Sequence, residues 1–236
     1  MILFHQFFDT SSSTLTYLLA DPVTGDAVII DSVREHVGAY VSFLQEQELQ
    51  LCWILETHVH ADHITGAAGL RELTGARSAV GSAGGVGCAD RLLDDGDTIV
   101  FGNEVIRVIP TPGHTPACVT YQWRDRLFTG DALMIGGCGR TDFQGGDAGA
   151  LYDSITGKLF ALPDETLVYP GHDYRGARVS CIGQEKAINP RLAGRSRQDF
   201  IELMNNLNLP QPRMIDEALP ANLRCGHNEI FDVHGT

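Results

Sequence analysis

The chain has 236 residues, 43% of them hydrophobic, which suits one large domain that can bury a core without cross-links. Its formal net charge of −13 argues against nucleic acid and anionic membranes as partners, because an acidic surface repels phosphate. Lysine is confined to Lys158 and Lys186, so arginine has to meet any anionic substrate.

In chain order, the runs at 15–19 and 27–30 are rich in β-formers, and the turn chemistry of residues 21–26 separates them. Val37, Tyr40, Val41 and Leu44 follow helical spacing and predict an amphipathic helix over 36–48. A short buried strand at 51–55 runs directly into Thr57, His58, Val59, His60, Ala61, Asp62 and His63. A second helix is expected over 66–73. The glycine-rich stretch 81–87 reads as loop, and without a following GK[ST] it carries no phosphate-binding role. Residues 98–101 and 105–109 flank Gly102 and Asn103, a hairpin signal, and 119–123 with 126–128 form another. Ala148, Leu151, Tyr152, Ile155 and Leu159 mark a further helix, and 167–169 a strand. Phe200, Leu203, Met204 and Leu207 form a short helical face. A proline-punctuated arm follows, through Leu209, Pro210, Gln211 and Pro212 and on to Pro220, Ala221 and Asn222; it is expected to pack on the main body. Strands followed by a helix, occurring twice, suggest two packed sheets with helices outside.

Six cysteines (Cys52, Cys88, Cys118, Cys138, Cys181 and Cys225) are widely spread and form no CxxC pair. That leaves a zinc knuckle or redox motif unsupported and predicts reduced, mostly buried thiols in a cytoplasmic protein. The opening residues Met1 to His5 lack the cationic stretch of a signal peptide, and no apolar run approaches the length of a membrane span.

Four predicted strand ends deliver imidazoles and carboxylates. His58, His60, Asp62 and His63 follow one. His114 ends Thr-Pro-Gly-His, Asp131 ends Phe-Thr-Gly-Asp, and His172 ends Tyr-Pro-Gly-His. A single histidine is more often an ordinary hydrogen-bonded residue, and His5, His36, His227 and His234 are read that way. Four such loops at strand ends favour a metal site, because rigid strands hold ligands to the tolerance a metal requires.

The HxHxDH run, with the later Thr-Pro-Gly-His and Thr-Gly-Asp, resembles the signature of the metallo-β-lactamase superfamily. The resemblance covers essentially the whole chain and implies an α/β fold, an αββα sandwich with the metal site at one edge of the sheets. One domain over 1–236 is then expected, with 190–236 a short C-terminal extension packed on it. The fold alone implies no one reaction. Further segments narrow the choice: Gly136 to Gln144, Gly171-His172-Asp173-Tyr174, Asn189 to Leu192, Asn206 to Pro210 and Pro220 to Gly226. Together they resemble the persulfide dioxygenases, and the tail motifs discriminate most.

That resemblance implies one Fe(II) per chain held by His58, His114 and Asp131. Two imidazoles and a carboxylate form the facial arrangement of non-haem iron oxygenases, with positions open for substrate and dioxygen. His60, Asp62, His63 and His172 would then surround the ligands and orient them or manage protons. In a dinuclear arrangement like that of glyoxalase II, the same four would contribute to two metal sites, with Asp131 bridging. The implied reaction oxidises glutathione persulfide with O2 and water to sulfite and glutathione. Arg140 is the leading candidate for glutathione's carboxylates, followed by Tyr174 and Arg224. Asp173 is a candidate to orient a neighbour or cap a turn, and Thr129 to fix the ligand loop. The resemblance alone suggests a homodimer.

The alternative is a glyoxalase II-like dinuclear hydrolase of glutathione thioesters. All seven candidate ligands and the Gly-Cys-Gly-Arg segment favour it; the short C-terminus and the scarcity of lysine there oppose it.

Overall fold

The computed structural model describes residues 3–212 and 214–227. Strands β1 (Leu3–Phe8), β2 (Leu15–Ala20), β3 (Asp26–Ile30), β4 (Gln50–Leu55), β5 (Arg77–Gly81) and β6 (Arg91–Leu93) form one six-stranded sheet in that order. Strands β7 (Thr98–Phe101), β8 (Glu104–Pro110), β9 (Val119–Trp123), β10 (Arg126–Gly130), β11 (Leu167–Pro170) and β12 (Ser180–Cys181) form the second, also six-stranded. Pairing is antiparallel from β1 to β3 and parallel from β3 to β6. Parallel neighbours need a crossover, supplied by α1 (Val37–Glu46) and α2 (Ala67–Thr74). In the second sheet β7 to β10 run as a meander, and α3 (Ala148–Ser154) lies in the connection that makes β11 parallel to β10.

The period of two along each strand sorts side chains into layers. Leu15, Tyr17 and Leu19 of β2 point between the sheets, where they meet Phe101, Val108, Tyr121, Trp123 and Phe128. Leu18 and Ala20 point the other way, under Tyr40 and Leu44 of α1 and Leu70 of α2. On the far side, Leu127 and Val168 pack against Leu151 with Phe200 and Met204 of α5 (Arg197–Asn205). Helix, sheet, sheet, helix is therefore the order of layers, as the resemblance implies.

Several elements escape the sequence reading. β1 is an edge strand whose apolar run is broken by His5 and Gln6, and every one of its residues is only partly buried. β5, β6 and β12 are too short to show a period, and the stretch expected to be loop begins with the end of β5 at Gly81. The helix marked at 148–159 is α3 followed by one widened turn, Ile155–Leu159, which keeps Leu151, Ile155 and Leu159 buried. α4 (Ile182–Ile188) was not marked at all. The proline arm contains α6 (Ile215–Asn222), with Pro220 inside it. Asp216 and Glu217 suit its first turn, and Ala218 and Ala221 bury against Ile64, which offsets the hydrogen bond that Pro220 removes. His234 lies outside the described residues.

Candidate metal centre

The candidate ligands emerge from one edge of the sandwich, at the C-terminal ends of β3, β4, β8, β10 and β11. Because β3 and β4 are parallel, Asp31 and Thr57 leave them side by side. The Asp31 carboxylate accepts from the Thr57 amide at 2.7 Å and from its hydroxyl at 2.8 Å, which fixes the start of the HxHxDH loop. Two glycines bring the other ligands in. Gly113, at φ +140°, lies against the backbone of Leu151, where a Cβ would collide. Gly130, at φ +51°, lies against the Thr57 side chain, so Asp131 and His58 are delivered to the same point.

His58, His114 and Asp131 each direct one ligating atom into a common space, all within 4.8 Å of one another. Two of these groups are aimed from behind. The Thr57 hydroxyl donates to Asp31, so its oxygen accepts from His58 Nδ1 at 2.9 Å, leaving Nε2 with a lone pair. His114 Nδ1 donates to the Arg140 carbonyl at 2.7 Å, with the same consequence, and its Nε2 lies 3.7 Å from Asp131 Oδ2. Burial, then the neighbouring His60 and His114 rings, push the His58 pKa well below the usual histidine value, so it is a neutral imidazole. Burial opposes ionisation of Asp131, but the imidazole of His172 outweighs it and holds the carboxyl below the usual range. Two imidazole nitrogens and one carboxylate oxygen fit a divalent transition metal.

His60, Asp62, His63 and His172 also gather here, but their polar atoms are largely committed to one another. His172 donates through Nδ1 to Asp131 Oδ1 at 2.6 Å and through Nε2 to Asp62 Oδ2 at 2.9 Å. Burial disfavours a charge on this ring, yet the two carboxylates raise its pKa well above the usual value. Both nitrogens are thereby occupied. His60 Nε2 reaches Asp31 at 3.1 Å and touches Glu56 at 3.2 Å. Asp62 Oδ2 also meets His63 Nδ1 at 3.0 Å, and Thr14 joins that group. His60 Nδ1 and His63 Nε2 remain buried without a partner.

A cleft of about 770 Å³ opens over His58, His114 and Asp131. Arg140 lines it, stacked on Phe143, with its guanidinium bound to Asp142 and to the carbonyls of Leu209 and Pro210. Tyr174 lines it too, its ring stacked on that of His172 with centroids 5.8 Å apart. Arg224 is exposed and does not line the cleft, whereas Arg175 does and forms no ion pair with a described residue. Asp173 caps the turn through the Arg175 amide at 2.8 Å, and Thr129 donates to the Leu133 carbonyl at 2.6 Å.

The cysteine expectation needs one correction: Cys88 and Cys225 are joined in a disulfide. Their 137-residue separation hid the pair, which forms only because the tail returns to the turn after β5. Cys118 and Cys138 are buried thiols whose pKa values burial pushes up to about 12 and about 11. Asp31, Glu56 and Thr14 were not singled out from sequence. Asp31 directly follows the run at 27–30, so the strand-end argument applied to the histidines reaches it as well.

The model of the metallo-beta-lactamase superfamily matches residues 10–172. The human mitochondrial persulfide dioxygenase ETHE1 is 47% identical over 228 residues, spanning 95% of this chain and 89% of that protein. The chain belongs to the persulfide dioxygenase family. The crystal structure of ETHE1 from Myxococcus xanthus is 52% identical, covers 95% of this chain and all of that one, and superposes with a TM-score of 0.94. A beta-lactamase hydrolase-like protein of Agrobacterium fabrum is more distant, 35% identical over 97% of this chain and 62% of its own. This persulfide dioxygenase family member has no described helix long and apolar enough to cross a membrane.

Proposed function

We propose that this chain oxidises the glutathione persulfide anion with O2 and water, releasing sulfite, glutathione and a proton, and that it uses one Fe(II) held by His58, His114 and Asp131. The observation that carries the one-metal reading is His172, whose two nitrogens are both spent on carboxylates. A second group that could hold an ion, His60, Asp62 and His63, stands beside it without His172. A bound Fe(II) supplies the redox chemistry by which dioxygen reacts with sulfur. The chain supplies the rest. Thr57 and the Arg140 carbonyl fix the imidazoles, and His172 fixes Asp131. The cleft admits the tripeptide, with the cations of Arg140 and Arg175 and the ring of Tyr174 at its walls.

The test is oxygen uptake on adding glutathione persulfide to Fe(II)-loaded protein. Uptake with matching sulfite release, lost in His114→Ala, is expected. No uptake from a verified iron-loaded sample overturns the reading. The buried, unpartnered His60 Nδ1 and His63 Nε2 favour a second reading, a dinuclear hydrolase of glutathione thioesters. It predicts two metals per chain and turnover of S-lactoylglutathione.

One domain over 1–236 belongs to the same proposal, supported by Phe200 and Met204 entering the core around α3. So do a homodimer, open to light scattering, and a cytoplasmic location, open to fractionation; the mammalian relatives are described as mitochondrial.

A further inference from the structure

The tail reaches the metal centre from behind. Asn222, the last residue of α6, is 5% exposed and inserts its amide into the HxHxDH loop. Its Nδ2 donates to the carbonyls of His60 at 2.8 Å and His63 at 2.9 Å. Its Oδ1 accepts from the Thr65 amide at 2.9 Å. One side chain thus satisfies three backbone groups over residues 60–65, beside the bridge of Thr65 to Val33, in the loop that carries four of the seven candidate ligands.

Asn222 is held there by the tail around it. α6 has eight residues, fewer than an isolated helix needs, and the irregular arm 207–214 precedes it. Its apolar contacts are Ala218 and Ala221 against Ile64, with Met214 beside them, and Leu219 on the cluster of Val59, Val80 and Val86. The strong attachment is covalent and lies three residues beyond Asn222: the Cys88–Cys225 disulfide, beside Val59, Val80 and Val86. Cys225 adopts φ +57°, turning the chain so that Gly226 lies against the Thr65 carbonyl. Cys88 is half-buried and Cys225 buried.

We propose that Asn222 is a positioning residue for the metal centre and that the Cys88–Cys225 disulfide is the clip that keeps it engaged, so that retention of the metal responds to thiol redox state. This rests on the reading that the HxHxDH loop holds a metal. Opening the clip breaks the S–S bond and gives two thiols, taking two electrons and two protons. With a phosphine reductant, the phosphine supplies the electrons and water supplies the protons and the oxygen of the phosphine oxide.

The experiment uses full-length, Fe(II)-loaded protein prepared without reductant. Thiol titration in denaturant is expected to find four free thiols of the six, and six would overturn the clip. Transfer of iron to a chromogenic Fe(II) chelator is then timed before and after phosphine treatment. Roughly tenfold faster release is expected after reduction, in Cys88→Ser, and in Asn222→Asp, which keeps the acceptor for Thr65 and loses both donors. Cys88→Ser should no longer respond to the phosphine. Release from reduced wild type or from Asn222→Asp at the rate of the oxidised wild type would overturn the proposal. Backbone hydrogen exchange over residues 58–66 in metal-free protein gives a reading that needs no metal. Protection there should fall in the same three samples, and unchanged protection would also overturn it. A chain that takes up no metal but shows these exchange changes would sink the functional reading and leave Asn222's hold on the loop standing.

Discussion

His172 donates through Nδ1 to the Oδ1 of Asp131 at 2.6 Å, and this contact determines which face of the Asp131 carboxylate is left for a metal. Oδ1 is taken; Oδ2 faces His114. Replacing His172 by Gln would remove the donor to Asp131 Oδ1 and free Asp131 to turn, while Asp62 keeps His63 and Thr14. A fall in kcat of about 10- to 100-fold is expected, with iron still bound, although more weakly. Metal analysis alongside oxygen uptake checks this; unchanged kcat would show that Asp131 does not depend on His172.

Thr57→Val removes the hydroxyl between Asp31 and His58 at nearly constant shape. His58 Nδ1 and Asp31 Oδ2 each lose a buried partner. Iron affinity should fall roughly tenfold or more, and the fold should lose about 1–3 kcal/mol. Competition with a chelator and urea unfolding measure the two effects separately.

Arg140 and Arg175 should behave differently. Arg140 clamps the Leu209–Pro210 carbonyls as well as facing the cleft, so Arg140→Ala is expected to raise KM for the persulfide and loosen the arm. Arg175 lines the cleft and forms no ion pair with a described residue. Arg175→Ala should raise KM by about tenfold, the value of one charge-assisted hydrogen bond, with stability and iron content unchanged. Steady-state kinetics with thermal melts of both variants decide it, and an unmoved KM in Arg175→Ala rules that residue out.

Acid should weaken the loop that supports Thr14. Burial opposes ionisation of Asp9, but bonds from the Ser12 hydroxyl, His36 and the Ser12 and Ser11 backbone outweigh it and lower its pKa to about 2. A carboxyl lowered on folding stabilises fully above its unfolded pKa of about 4 and ceases to do so as pH falls through its folded value. Asp9→Asn is therefore expected to cost on the order of 2 kcal/mol at most at pH 7, and progressively less toward pH 2. Urea unfolding at several pH values gives the curve; a pH-independent cost would contradict it.

Gly113→Ala would force a Cβ into the Leu151 backbone at a φ that L residues rarely adopt. A loss of several kcal/mol is expected, with His114 displaced and iron binding lost. Normal iron content in this variant would mean that the turn can relax.

The sequence alone determined the strands whose apolar runs show a clear period, and it marked the seven candidate ligands, because each follows such a run, His114, Asp131 and His172 directly after a glycine. That information is local: a strand, its turn and the residue delivered. Tertiary structure decided the rest. Which ligands converge depends on β3 with β4 and β10 with β11 being parallel, so that Asp31, His58, Asp131 and His172 share an edge. The commitment of His172 to two carboxylates, 41 and 110 residues away in sequence, has no local signal. Nor do the pairing of Cys88 with Cys225 and the seat of Asn222 behind His60. Each joins segments brought together only when the tail closes on the finished sandwich, and a pattern of near neighbours along the chain carries no record of that contact.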